Sequence, residues 1–63
     1  MYKLLVYYPE REGVQATIEV RRAADVVDAI PGLLAAHDGC EHIVVMLDNV
    51  RLFAVDCHGN RLP

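Results

Sequence analysis

The second half of the chain is dominated by two apolar runs with a two-residue polar break between them. Residues 42–47 read HIVVML, residues 50–57 read VRLFAVDC, and Asp48-Asn49 separates them. Strands favour β-branched and aromatic side chains, and Asp and Asn tolerate the backbone conformation of a tight two-residue turn. This segment therefore predicts an antiparallel hairpin, which commits much of a 63-residue chain to a sheet.

The first half of the chain predicts a second hairpin. Residues 3–8, KLLVYY, are rich in β-forming side chains, and the polar segment PEREG follows them. Residues 14–21, VQATIEVR, alternate apolar and polar side chains, as a strand with one buried face does. The side chains expected to point inward are Val14, Ala16, Ile18 and Val20.

Between the hairpins the apolar period changes to that of a helix. Four side chains at positions i, i+3, i+4 and i+7 share one helical face: Ile30, Leu33, Leu34 and His37. Because Pro31 fits best in a first turn, we predict a helix over about 29–38 with Asp28 as its N-cap. A helix that starts earlier, at Asp25, is the alternative. Gly39 suits the left-handed position that follows a helix end.

The predicted order of elements is ββαββ. This order predicts an α+β fold with a four-stranded, mainly antiparallel sheet and one helix packed on one of its faces. We expect residues 1–63 to form a single small domain. The sequence does not specify the order of the strands within the sheet.

Apolar residues are more abundant than a chain of this length is expected to bury. Ala, Val, Ile, Leu, Met, Phe, Cys and Gly make up 35 of the 63 residues, whereas soluble domains contain about 45–50%. Below roughly 70–80 residues a core rarely contributes more than about 3–5 kcal/mol, so small folds are commonly reinforced by disulfides, metals or oligomerisation. The excess predicts a homodimer or another protein partner.

The second hairpin predicts where that partner would bind. In a regular hairpin, one face carries the aliphatic side chains expected under the helix: Ile43, Val45, Leu47, Val50, Leu52 and Ala54. The other face should be polar but is largely apolar. Together with the first strand it predicts a contact surface formed by Leu5, Tyr7, Val44, Met46, Arg51, Phe53 and Val55. Coverage of this face by the C-terminal segment GNRLP is the alternative.

The cysteines and histidines gather at the outer end of the same hairpin. A regular register places Cys40 opposite Cys57, with His42 two residues along the same face. Such a pair can be close enough for a disulfide, and zinc also takes Cys and His ligands, although the spacing is not C-x₂₋₄-C. We interpret the cysteines as packed free thiols and expect no metal or cofactor. A disulfide and a metal-stabilised or thiol-responsive site at Cys40, His42 and Cys57 are the alternatives.

No motif in the chain indicates an enzyme. The glycines are isolated, and Asp56, Cys57 and His58 are strand neighbours whose side chains alternate between faces. Nine acids against six bases give a net charge of −3, which argues against nucleic-acid binding. Base stacking on Tyr7 and Phe53 is kept as an alternative.

The sequence also predicts where the protein is located and which role it has. The chain has no apolar run of about 18 residues and no leader pattern, so we expect no membrane association and a cytoplasmic location. The sequence predicts a non-enzymatic protein–protein interaction module that self-associates and acts as an inhibitor or adaptor of a larger complex. Phage-type inhibitors, including anti-CRISPR proteins, are an analogy of size and charge.

Overall fold

The computed structural model describes all 63 residues and contains one helix and five strands. The elements are β1 (Tyr2–Tyr7), β2 (Ala16–Val20), α1 (Ala23–Ala36), β3 (His42–Leu47), β4 (Val50–Asp56) and β5 (Arg61–Leu62). Every neighbouring pair of strands is antiparallel, in the order β2-β1-β3-β4-β5. The predicted α+β fold of ββαββ order is confirmed, with a short fifth strand added at one edge. The single helix lacks the length and apolar character that crossing a bilayer requires.

The core lies between α1 and the middle of the sheet. We call the face toward α1 the helix side and the opposite face the open face. The fully buried side chains of the two central strands point to the helix side: Leu4, Val6, Ile43 and Val45. Val26 and Leu33 of α1 pack against them. From β2, the partly buried Ala16, Ile18 and Val20 join this core, while Val14 lies outside the strand and is exposed.

The helix begins earlier than predicted, at Ala23. Its N-cap is Arg22, which makes no side-chain capping hydrogen bond, so the predicted caps at Asp28 and Asp25 are both wrong. The added turns bury Val26, and burial of such a side chain contributes about 1.5–3 kcal/mol. That gain, with the added backbone hydrogen bonds, offsets the roughly 3 kcal/mol cost of an interior proline. Pro31 therefore lies inside α1.

The helix ends at Ala36, two residues before the predicted end. The backbone N–H of His37, the C-cap residue, donates to the carbonyl of Leu33 at 2.8 Å. Gly39 follows with a φ of 88°, which is the left-handed region that favours glycine. The chain then turns back toward the sheet, and the N–H of Glu41 donates to the carbonyl of Tyr7 at 2.8 Å.

Replacing Pro31 by Ala is expected to stabilise the protein. Alanine supplies an amide that can donate to the Val27 carbonyl one turn earlier, and it removes the ring that crowds that carbonyl. The helix gains up to about 3 kcal/mol, and the greater freedom of the unfolded chain removes about 0.4–1 kcal/mol of this. Urea unfolding followed by circular dichroism should show a higher midpoint. Pro63→Ala, outside every element, is the control, and an unchanged midpoint for Pro31→Ala would contradict the prediction.

The second hairpin has the predicted strands and turn but not the predicted register. Next to the Asp48-Asn49 turn, Met46 pairs with Arg51, whereas Val45 pairs with Phe53, so Leu52 is an extra residue in β4. Such a β-bulge reverses the facing of the residues that follow it. Beyond Leu52, the side chains that a regular hairpin would place on the open face turn to the helix side.

The C-terminal segment extends the sheet and does not lie across the open face. Arg61 pairs with Val55, and Leu62 pairs with Ala54. The carboxylate of Asp56 holds the preceding turn, because its Oδ1 atom accepts hydrogen bonds from the backbone amides of Asn60 and His58, both at 2.9 Å. The amide of Asn60, followed by that of His58, lowers the pKa of the Asp56 carboxyl below its ordinary value.

The β4–β5 turn is expected to loosen in acid and when Asp56 is replaced by Ala. Because the pKa of Asp56 is lower in the folded state, its stabilising contribution is present above the ordinary value of 3.8 and is lost as the pH falls through the lower folded-state value. Hydrogen exchange at the amides of His58 and Asn60 measures this effect. At neutral pH, exchange there should accelerate in Asp56→Ala but not in Glu19→Ala, which changes an exposed carboxylate on β2. Equal exchange in both variants would contradict the assignment.

Candidate interaction surface

The structure places the seven predicted contact residues on two different faces. The five on the open face are Leu5, Tyr7, Val44, Met46 and Arg51. Phe53 and Val55 lie on the helix side, where Val55 is buried and Phe53 packs against the core. Their predicted position beside Val44 is therefore wrong, and the bulge at Leu52 is the reason.

The open face carries a narrow apolar row. Cross-strand pairing aligns the members of this row: Leu5, Val44, Ala54 and Leu62. On one side of it the ring of Tyr7 stacks on that of His42, with centroids 4.7 Å apart. On the other side, Lys3 and Arg51 flank Met46. The open face is therefore a mixed polar and apolar surface, and not the broad apolar patch that the sequence predicts.

A deeper apolar surface lies on the helix side, beside the helix. α1 packs mainly over β1 and β2, which leaves much of the helix side of β4 uncovered. The gap forms a groove of about 200 Å³, which we call the helix-side groove. All seven residues that line it are apolar: Tyr2, Ala23, Val26, Val27, Val45, Leu52 and Phe53. Val50 lies at its margin, in the cross-strand row that contains Leu47 and Tyr2.

Exposed aliphatic side chains concentrate around this groove. The protein has five large hydrophobic side chains that are exposed, and three of them line or border the groove. Val27 is 66% exposed, Val50 61% and Leu52 43%. Each Å² of apolar surface left in water forgoes about 25 cal/mol of stabilisation. A cluster of this kind is the usual mark of an interaction surface.

The edge of β4 next to the groove has no strand partner. β5 pairs with β4 only at Ala54 and Val55, so the outer edge of residues 50–53 is unpaired. The bulge at Leu52 interrupts the regular ladder there, and bulged edges resist the addition of another strand. At the β5 end, the guanidinium of Arg61 lies 4.3 Å from the centre of the Phe53 ring. This edge is therefore poorly suited to pairing with an added strand.

The Cys and His residues do not assemble into a metal site. Cys40 is buried and Cys57 packs against the same core, both as free thiols. Because His42 pairs with Asp56, Cys57 is out of the predicted register, and His42 lies on the open face against Tyr7. No three Cys, His, Asp or Glu side chains come close enough together to hold a metal ion.

The Cys40 thiol is poorly suited to redox or nucleophilic chemistry. Burial, followed by the neighbouring Cys57 thiol, raises the pKa of Cys40 above its ordinary value. A raised pKa keeps the thiol protonated at neutral pH, and the protonated thiol is a weak nucleophile. Both cysteines pack against apolar side chains of the core.

The aromatic side chains do not form a common stacking surface for nucleic-acid bases. Tyr7 lies on the open face, whereas Phe53 lines the helix-side groove with Arg61 over its ring. The alternative of base stacking needs both rings on one face. In the structure the two rings lie on opposite faces of the sheet, so they cannot stack bases side by side.

Of the seven residues that line the groove, only Phe53 was among the predicted contact residues. The two exposed members that the sequence analysis missed are Val27 and Leu52. Val27 follows Val26 directly, and the turn of about 100° between neighbouring helix positions carries Val27 away from the centre of the buried face. A helix placed from Ala23 would have shown that one valine is exposed. The exposure of Leu52 depends on the bulge, which no glycine marks in β4.

The sequence matches no protein-family model, and comparisons with curated proteins and with solved structures find no significant match. The geometry of the chain itself is thus the basis for the function proposed below.

Proposed function

We propose that this protein is a small, non-enzymatic protein–protein interaction module that self-associates through the helix-side groove. The observation that carries the proposal is the concentration of exposed Val27, Val50 and Leu52 around one groove whose lining is entirely apolar. A chain of this size has a small core, and burial of this surface against a partner adds the stability that the core alone lacks.

The occupant of the groove is a second copy of the same chain. A twofold interface brings the same patch of both subunits together, so the patch must be complementary to itself. Here a depression and a ridge lie side by side, because Val50 and Leu52 project from β4 next to the groove. Under a twofold rotation, the ridge of each copy can fill the groove of the other.

The charge distribution does not prevent this pairing. The net charge of −3 makes two copies repel each other at long range. The groove lining carries no ionisable group except the Tyr2 phenol, so no like charges are forced together at the centre of a symmetric contact. Salt screens the long-range repulsion, with a Debye length of about 8 Å at physiological ionic strength.

Self-association through the groove leaves the open face available to a larger protein. Its narrow apolar row, with Lys3 and Arg51 on one side and the Tyr7–His42 stack on the other, has the mixed character of a non-obligate interface. An inhibitor or adaptor role would use this face. That part of the proposal rests on size, charge and the analogy with small phage-type inhibitors.

Isotope-filtered NMR on a mixture of labelled and unlabelled chains tests which face is used. We expect intermolecular NOEs from the methyl groups of Val27, Val50 and Leu52. The methyl groups of Leu5 and Val44 on the open face are the internal control and should show none. NOEs confined to the open face would overturn the proposed site while preserving self-association, and the absence of any intermolecular NOE at millimolar concentration would overturn both.

A further inference from the structure

A polar cleft lies at the C-terminal end of α1, apart from the helix-side groove. The β1–β2 loop and the turn after α1 enclose about 340 Å³. The cleft is lined by Tyr8, Arg11, Gln15 and His37. None of these residues belongs to the groove or to the open-face row, so self-association does not account for them.

Two of the lining side chains fix each other. The hydroxyl of Tyr8 and the Nδ1 atom of His37 are 2.9 Å apart, and both residues are partly buried. When the Tyr8 hydroxyl donates this hydrogen bond, the neutral imidazole carries its proton on Nε2. The Nε2 atom forms no hydrogen bond within the chain. In that tautomer, the Nε2–H group of His37 is a donor without a partner in the chain.

Arg11 supplies a positive charge to the same cleft. The ion pairs of the protein join the N-terminus to Asp48 and Arg22 to Asp25, so the guanidinium of Arg11 has no carboxylate partner. Gln15 holds the loop that carries Arg11, because its Nε2 atom donates to the carbonyls of Glu12 and Gly13 at 3.0 and 3.4 Å. No acidic side chain lines the cleft, although acids outnumber bases in the chain.

We propose that this cleft binds a small oxyanion, a carboxylate or phosphate group, between the Arg11 guanidinium and the Nε2–H of His37. A guanidinium presents paired donors that match two oxygens of such a group. The oxyanion selects the His37 tautomer with the proton on Nε2, and the Tyr8 hydroxyl holds that tautomer in place. Glu10 and Glu12 on the same loop and the last carbonyls of α1 oppose an anion. Binding is therefore weak and sensitive to ionic strength.

NMR titration with inorganic phosphate, and separately with acetate, tests the site at constant ionic strength and near neutral pH. At least one anion should produce saturable shifts confined to the amides of residues 8–15 and to the ring of His37. Saturation by phosphate alone identifies a phosphate site, and saturation by acetate alone identifies a carboxylate site. Failure of both anions to saturate would overturn the proposal.

Variants separate this site from general charge effects. Arg11→Gln should weaken binding about tenfold or more, because it removes the charge-assisted pair. Tyr8→Phe should weaken it less, because the ring of His37 remains but loses its fixed tautomer. Arg51→Gln removes an exposed arginine on the open face and is the matched control. Equal weakening in Arg11→Gln and Arg51→Gln, or no weakening in either, would overturn the assignment.

Discussion

Replacement of Leu52 by Lys is expected to convert a dimer of this protein into a folded monomer. Leu52 lines the helix-side groove and is 43% exposed within one chain, so the chain can accept a polar side chain there without loss of its core. In a self-associated pair the same position is buried, and a lysine would bring an unpaired charge into an apolar contact. Truncation of a central interface side chain costs about 2–3 kcal/mol, which corresponds to roughly a 30- to 150-fold weaker dimer.

Val14→Lys is the matched control for this prediction. Val14 is 42% exposed, nearly the same as Leu52, but it lies in the β1–β2 loop away from the groove. Both variants add one positive charge, so any general effect of net charge appears in both. Sedimentation equilibrium should show weakened association in Leu52→Lys and wild-type association in Val14→Lys. Equal association in the two variants would contradict the placement of the interface in the groove.

Replacement of Ile43 by Ala is expected to unfold most of the protein. Ile43 is fully buried at the centre of the sheet, and truncation of such a side chain to Ala costs about 2–5 kcal/mol. The whole core of a chain this small rarely contributes more than about 3–5 kcal/mol. Thermal unfolding followed by circular dichroism should show a much lower midpoint temperature for Ile43→Ala, or no folded state at all. Val14→Ala should unfold at the same temperature as the wild type. A wild-type midpoint for Ile43→Ala would contradict the placement of Ile43 in the core.

Val55→Ala and Leu52→Ala test the register of the second hairpin by the same measurement. In the structure Val55 is 4% exposed and pairs with Ile43 on the helix side. A hairpin without the bulge would place Leu52 inside and Val55 outside. The thermal midpoint should therefore fall further for Val55→Ala, because that change leaves a cavity in the core, whereas Leu52 is partly in water. For a self-associating protein this comparison is made at concentrations where both variants are monomeric.

The order of elements and the turns could be predicted because they depend on local patterns. Alternation in residues 14–21 and the Asp48-Asn49 break are readable from neighbouring residues alone. The observed strand His42–Leu47 coincides with the predicted one. Gly39 has the positive φ that its position after the helix suggests.

The faces of β4 could not be predicted because they depend on a single extra residue. Side chains of a strand alternate between the two faces of the sheet, so one bulged residue moves every later side chain to the opposite face. β4 contains no glycine to mark the bulge at Leu52. Packing explains why the bulged register is preferred over the regular one. The bulge brings Phe53 and Val55 to the core and leaves the small Ala54 on the other face.

The start of α1 illustrates how tertiary packing overrides local preference. Pro31 and Asp28 favour a helix that begins near residue 29, and no capping side chain stands at Arg22. Burial of Val26 against the sheet is visible only once the sheet exists. The helix-side groove has the same origin, because it is formed by the added turns of α1 and by the bulged part of β4.

We propose that the exposed apolar surface beside the helix makes this protein self-associate. Light scattering behind size exclusion, at several loading concentrations and with reductant present, measures the solution mass most directly. We predict a mass that rises to twice that of one chain as concentration increases and does not change with reductant, because the thiols are free and packed in the core. A mass of one chain at every concentration up to the millimolar range would contradict the claim.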